Sequence, residues 1–103
     1  TLRYAKLTRS SADGPIRDEI GREFEETTLA QIYALMERQP KGESGEFLTN
    51  GYANIFYVRD ATGKLRAVCV FWDAGNGGWG VDAGSVGFPF RWHGGRRVFS
   101  RNS

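Results

Sequence analysis

A single cysteine, a single histidine, a single methionine and three prolines are all that this chain of 103 residues holds of those types. Cys69 has no partner for an internal disulfide, and its place in the apolar run Val68-Cys69-Val70 predicts a buried free thiol. His93 and Cys69 cannot make up a zinc set of ordinary composition, and Asp73 with Asp82 does not reproduce the spacing of a calcium loop. No metal and no cofactor is therefore expected. Apolar runs stay well short of the roughly 18 to 20 residues that span a bilayer, so no membrane partner is expected either. No signal-peptide pattern is visible, which points to a cytoplasmic location; export stays open because the sequence starts at Thr1 rather than at a methionine.

Strong charge of one sign is also lacking, since the formal net charge is only +2. Its distribution is uneven: residues 1–60 carry eight basic and ten acidic side chains, residues 61–103 six basic and two acidic. The basic half can attract an acidic protein, a phosphate or a nucleic acid, although excess arginine also arises on ordinary solvated faces. Hydrophobic residues make up 40% and charged residues 25%, a folding composition, and seven Phe, four Tyr and three Trp predict an aromatic core. A chain of this size buries roughly 60 to 70% of its extended surface, enough for one core and too little for two. A single compact domain over residues 1–103 is expected.

Leu2-Arg3-Tyr4-Ala5-Lys6-Leu7 alternates apolar with polar side chains and predicts an edge strand. Asp13 is placed to cap a helix whose first turn tolerates Pro15. Ile16, Ile20 and Phe24, followed by Leu29, Ile32, Tyr33, Leu35 and Met36, form an apolar stripe at helical spacing, with a break near Thr27-Thr28 where either threonine can cap a second helix. Glu19, Glu23, Glu26 and Glu37 fall on the solvent face. Pro40 ends the helical part, and residues 41–45 read as a loop.

Residues 52–59 and 65–72 are strand-like in their β-branched and aromatic content, and the short link with Gly63 between them predicts an antiparallel hairpin. Both are apolar on both faces, so central positions under a helix on one side are expected. Shorter strands are expected at Trp79-Gly80-Val81, at Val86 to Trp92 with Pro89 at an edge or bulge, and at Arg96 to Arg101. His93-Gly94-Gly95 is read as the turn of a second hairpin. The predicted fold is thus α+β, an N-terminal helical segment packed on a four- or five-stranded antiparallel β-sheet.

The stretch from Asp73 to Gly95 holds eight of the fourteen glycines, two of the three tryptophans and the histidine. Gly75-Asn76-Gly77-Gly78-Trp79-Gly80 matches G-x-G-x-x-G in letters, yet no helix or βαβ unit follows, so a glycine-rich turn is expected rather than a nucleotide site. His93 could exchange protons with Asp73 or Asp82 as orienter and Ser85, Ser100 or Cys69 as nucleophile, but no motif specifies that set and no enzyme is expected. The leading expectation is a small non-enzymatic protein-interaction or oligomerisation module, with a protein partner or self-association through Trp72, Trp79, Arg91, Trp92, His93, Arg96, Arg97 and Arg101. Trp and Arg are the usual interface anchors. The alternative is a single-stranded nucleic-acid-binding domain in which Arg91, Arg96, Arg97 and Arg101 meet phosphates while Trp79, Trp92 or Phe90 stacks a base. A third reading places a glycan against Trp faces with Asn50, Asn54, Asn76 and Asp82.

Overall fold

Chain order alternates short strands with short helices in the first 37 residues and is almost all strand thereafter: β1 (Leu2–Lys6), β2 (Ser11–Ala12), α1 (Asp13–Ile20), α2 (Arg22–Glu25), β3 (Glu26–Thr27), α3 (Leu29–Glu37), β4 (Asn54–Arg59), β5 (Leu65–Asp73), β6 (Gly78–Ser85), β7 (Arg91–Trp92) and β8 (Arg97–Arg101). These come from a computed structural model, which describes residues 2–86, 91, 92 and 94–101. The fold is α+β as expected, but the sheet is six-stranded and mixed, in the order β1-β8-β4-β5-β6 with β3 beside β4. β4 runs antiparallel to β5 and parallel to both β8 and β3, which share its other edge. The Cα radius of gyration is 12.8 Å, close to the ~13 Å of a compact chain of about 100 residues.

Where β8 sits is the main departure from the expected second hairpin. It lies between β1 and β4, while β7 pairs with β2 in a separate two-stranded ribbon. Val98 and Phe99 are buried on opposite faces of β8, so the strand gains more as an inner strand between β1 and β4 than it would beside the short β7. The residues of the expected strand between Val86 and Arg91, including Phe88, Pro89 and Phe90, lie outside the described residues, as does His93.

Both faces of the sheet are covered, rather than one. On one face α3 delivers Ile32 and Leu35 against Phe56, Val58, Val68, Val70 and Phe99. On the other, α1 delivers Ile16 against Ala53, Ile55, Tyr57, Ala67 and Val98. Phe47 completes the α3 face, edge-on to Phe56 at 5.7 Å, Phe99 at 5.3 Å and Trp79 at 5.2 Å. Two buried amides hold the loop that brings Phe47 there. Gln39 donates to the Glu43 and Phe47 carbonyls at 2.6 and 3.1 Å and accepts from Phe47 N–H at 3.0 Å. Asn54 accepts from Leu48 N–H at 2.8 Å and donates to the Leu48 and Val70 carbonyls at 3.2 and 3.1 Å. Asn54 is therefore part of the core and not a sugar contact.

The helices are shorter than the apolar spacing predicts. Gly21, at φ +94, ends α1, so Ile16 and Ile20 belong to one helix and Phe24 to another. Thr27 then turns into β3 and donates its hydroxyl to the Tyr57 carbonyl at 3.1 Å. Thr28 caps α3 in a capping box with Gln31, at 3.2 and 2.9 Å, a motif of roughly 1 kcal/mol. Leu29 and Tyr33 do not join the core stripe; they are 46% and 51% exposed on the outer side of α3. Arg17 grips Glu25 through two bonds of 2.7 and 2.8 Å, tying α1 to α2. Burial raises the Glu25 pKa, but the bonds from Arg17 and Arg22 outweigh it and leave the carboxyl below its usual range.

Candidate functional site

β6 is eight residues long, where the sequence suggests only Trp79-Gly80-Val81. It pairs with β5 from Asp73↔Gly78 to Arg66↔Ser85 around the turn at residues 74–77. The Asp73 carboxylate builds that turn, accepting from Gly75 N–H, Asn76 N–H and the Asn76 side chain at 3.1, 3.3 and 2.7 Å. G-x-G-x-x-G is thus a hairpin turn running into a strand. Gly80 faces Phe71 across the ladder, and a Cβ there would overlap the Phe71 ring, so glycine at this position makes room for an aromatic ring on the neighbouring strand.

Among the described residues no strand pairs with the outer edge of β6, and Val81 to Ser85 are all exposed. The opposite edge of the sheet, β1, carries Arg3 and Lys6, the kind of charge that discourages edge pairing. β6 carries neither lysine nor proline, and its one charge, Asp82, sits opposite Cys69 and so points to the α1 face.

A cavity of about 500 Å³ opens on that face beside β6. Asp13, Ala67, Cys69, Asp82, Ala83, Gly84, Ser85 and Trp92 line it. Asp13 does not cap α1 as the sequence predicts. The N-cap is Ala12, with no side-chain bond to the helix amides, and the Asp13 carboxylate turns inward instead. Its Oδ1 accepts from Tyr57 Oη at 2.7 Å and from Trp92 Nε1 at 2.9 Å, which binds α1, β4 and β7 together at the cavity wall. Burial and the adjacent Asp13 push the Tyr57 hydroxyl above its ordinary range, so it remains a donor.

Cys69 is half-buried and not fully buried. Burial and then Asp82 push its thiol up to about 11, against a smaller opposing effect of Arg96. That is the reverse of the lowered pKa that activates a nucleophilic cysteine. Ser100 is buried and accepts from Arg3 Nε at 3.2 Å, whereas Ser85 accepts from Arg66 at 3.4 Å. Among the described residues no group of three His, Cys, Asp or Glu side chains is placed to hold a metal ion. None of their helices is long and apolar enough to cross a membrane.

The residues singled out by sequence are distributed over both faces. Trp72 and Trp79 lie together on the α3 face, rings 5.2 Å apart, with Trp79 Nε1 donating to the Gln39 carbonyl at 2.8 Å. Trp72 also covers Gly42, where a Cβ would come within 2.5 Å of the indole. Trp92 is on the opposite face, at the cavity. Arg96 stacks on the Tyr52 ring at 4.0 Å and donates to the Gly94 carbonyl at 3.1 Å. Arg97 lies over Tyr4 at 4.4 Å and donates to the Gly45 and Glu46 carbonyls at 3.1 and 2.6 Å. Arg101 donates to the Glu23 carbonyl. Three arginines thus turn to three different segments, and Arg96, just before β8, with Arg97 and Arg101 on it, does not form a continuous open basic face. Arg91 is placed by its backbone in β7, beside Ala12.

Asp13, Tyr57 and Ala83 join the site without having been singled out as interaction residues. Asp13 carried a local signal for a helix start and Tyr57 one for a core strand; their meeting across 44 positions has no local signal. Compared with family models, curated proteins and solved structures, the chain matches none.

Proposed function

We propose that this domain is a protein-interaction module that takes up an extended segment of a partner as an added strand on the outer edge of β6. The observation that carries the reading is the pairing of an eight-residue edge without lysine or proline, on which no strand lies among the described residues, with a cavity directly beneath it. In strand addition, main-chain hydrogen bonds supply affinity and pockets for alternate side chains supply selectivity. An added strand would lie about 4.8 Å outside β6, and every second side chain would point to the α1 face over the cavity. Self-association is the special case in which the segment belongs to a second copy.

The test is an NMR titration of the labelled protein with blocked heptapeptides of alternating valine and threonine, with light scattering on the free protein. Amide shifts concentrated on Gly78–Ser85 support the reading, as does their weakening in Val81→Lys/Ala83→Lys, a pair of substitutions at exposed positions of the edge. A concentration-dependent mass abolished by the same variant identifies the second copy as the occupant. Absence of both effects, or shifts around Arg96, Arg97 and Arg101 with a single-stranded oligonucleotide instead, overturns it.

A further inference from the structure

We infer that the cavity beneath β6 receives a basic side chain, lysine or arginine, carried by the added strand. This rests on the strand-addition reading and specifies its partner. The cavity wall has two kinds of surface. Ala67, the backbone at Gly84 and the Trp92 indole offer apolar contact for a methylene stem, while Asp13 and Asp82 offer carboxylates for its charged end. Both hydrogen bonds of Asp13 fall on Oδ1, and among the described residues no donor reaches its second oxygen. A carboxylate has roughly four lone-pair sites, so acceptor capacity remains at the wall.

Among the described residues the positive groups nearby have other partners. Arg17 is held by both oxygens of Glu25, and Arg22 by Glu25 and Asp18, at distances from 2.7 to 3.4 Å. Arg96 lies on the Tyr52 ring, and Arg66 is bound to Asp60 at 2.9 Å. Cys69, the other ionisable group of the wall, stays a neutral thiol at neutral pH. Among the described residues no cation is bonded to Asp13 or Asp82, and Arg96, although its charge is felt at Cys69, lies on the Tyr52 ring. The cavity's volume of about 500 Å³ falls in the roughly 300 to 1,000 Å³ range of ligand sites. Asp82 shares the face of Cys69 and lies on β6 itself, within reach of the neighbouring strand's alternate side chains.

The experiment compares three blocked heptapeptides that differ only at the centre, with lysine, norleucine or glutamate there, against the full chain and its Asp82→Asn variant. The lysine peptide is expected to bind about fivefold more tightly than the norleucine peptide, the size of a partly exposed ion pair, and the glutamate peptide more weakly than either. In Asp82→Asn the lysine preference shrinks while norleucine-peptide binding is kept, which also shows that the variant is folded. Equal binding of lysine and norleucine peptides overturns the inference and leaves strand addition standing. Failure of all three peptides to bind overturns both. Saturation by butylamine alone, with no peptide bound, shows a free-amine site and also overturns the proposal of a strand-borne side chain.

Discussion

Replacing Asp13 with alanine is expected to destabilise the domain by about 2 to 4 kcal/mol, a substantial share of the roughly 5 to 15 kcal/mol that holds a domain folded. The largest part comes from the Tyr57 hydroxyl. Tyr57 is fully buried and its 2.7 Å bond to Asp13 is its hydrogen bond in the core, so the change strands a polar group, at a cost of about 1 to 3 kcal/mol. Trp92 Nε1 loses its 2.9 Å acceptor too, but the half-buried indole borders the cavity, where water can replace a lost partner, so its share is smaller. Urea denaturation reads the sum: with a slope of about 1 to 2 kcal/mol per molar, the midpoint falls by roughly 2 M. Asp13→Asn retains an acceptor oxygen and loses less. Tyr57→Phe adds the decisive control, because removing the stranded hydroxyl in the Asp13→Ala background should recover about 1 kcal/mol or more. Refutation would be an Asp13→Ala protein as stable as the parent, or a double variant whose loss equals the sum of the two single losses.

Asn54→Ala strands Leu48 N–H and removes bonds to the Leu48 and Val70 carbonyls; a loss of about 2 to 4 kcal/mol is expected, with amide exchange at Phe47 and Leu48 rising before that of β4. Cys69 is expected to alkylate slowly near neutral pH. A pKa of about 11 in place of 9.0 lowers the thiolate fraction about 100-fold, and the higher intrinsic nucleophilicity of that thiolate returns roughly tenfold, so a rate at least ~10-fold below that of the unfolded chain should be measured. The sign of the linked stability follows: the unfolded thiol ionises first, so this contribution is complete below pH 9.0 and is lost as pH rises toward 11. A native-state rate equal to that in denaturant would refute both statements.

The α+β class, the β4–β5 hairpin with Gly63 at φ +84, the edge strand β1 and the threonine cap of α3 were all legible in local patterns. Such features depend on residues within a few positions of one another. What local patterns could not show is where β8 inserts, because Val98 and Phe99 suit any inner strand, and burial against β1 and β4 decides the matter. The helical stripe through Ile20 and Phe24 misled because Gly21 interrupts it, and Leu29 and Tyr33 lie on the outer side of α3 at a spacing that also reads as core. Of the site, the sequence pointed to a recognition surface between Asp73 and Gly95, and β6 with its hairpin turn lies inside that stretch. Its three glycines within Gly78–Ser85 concealed that it is one long strand, since glycine lowers strand propensity but is tolerated at an edge beside Phe71. The trio of Asp13, Tyr57 and Trp92 joins three segments distant in sequence and leaves no local trace.

Hydrogen exchange along β6 tests the central claim most directly. With no strand on its outer edge among the described residues, the outward-pointing amides of Gly78–Ser85 should exchange quickly in the free protein while those facing β5 are protected, and the fast set should slow when a strand-forming peptide is added. Uniform protection of all β6 amides in a monomeric protein, or no change at saturating peptide, would contradict it.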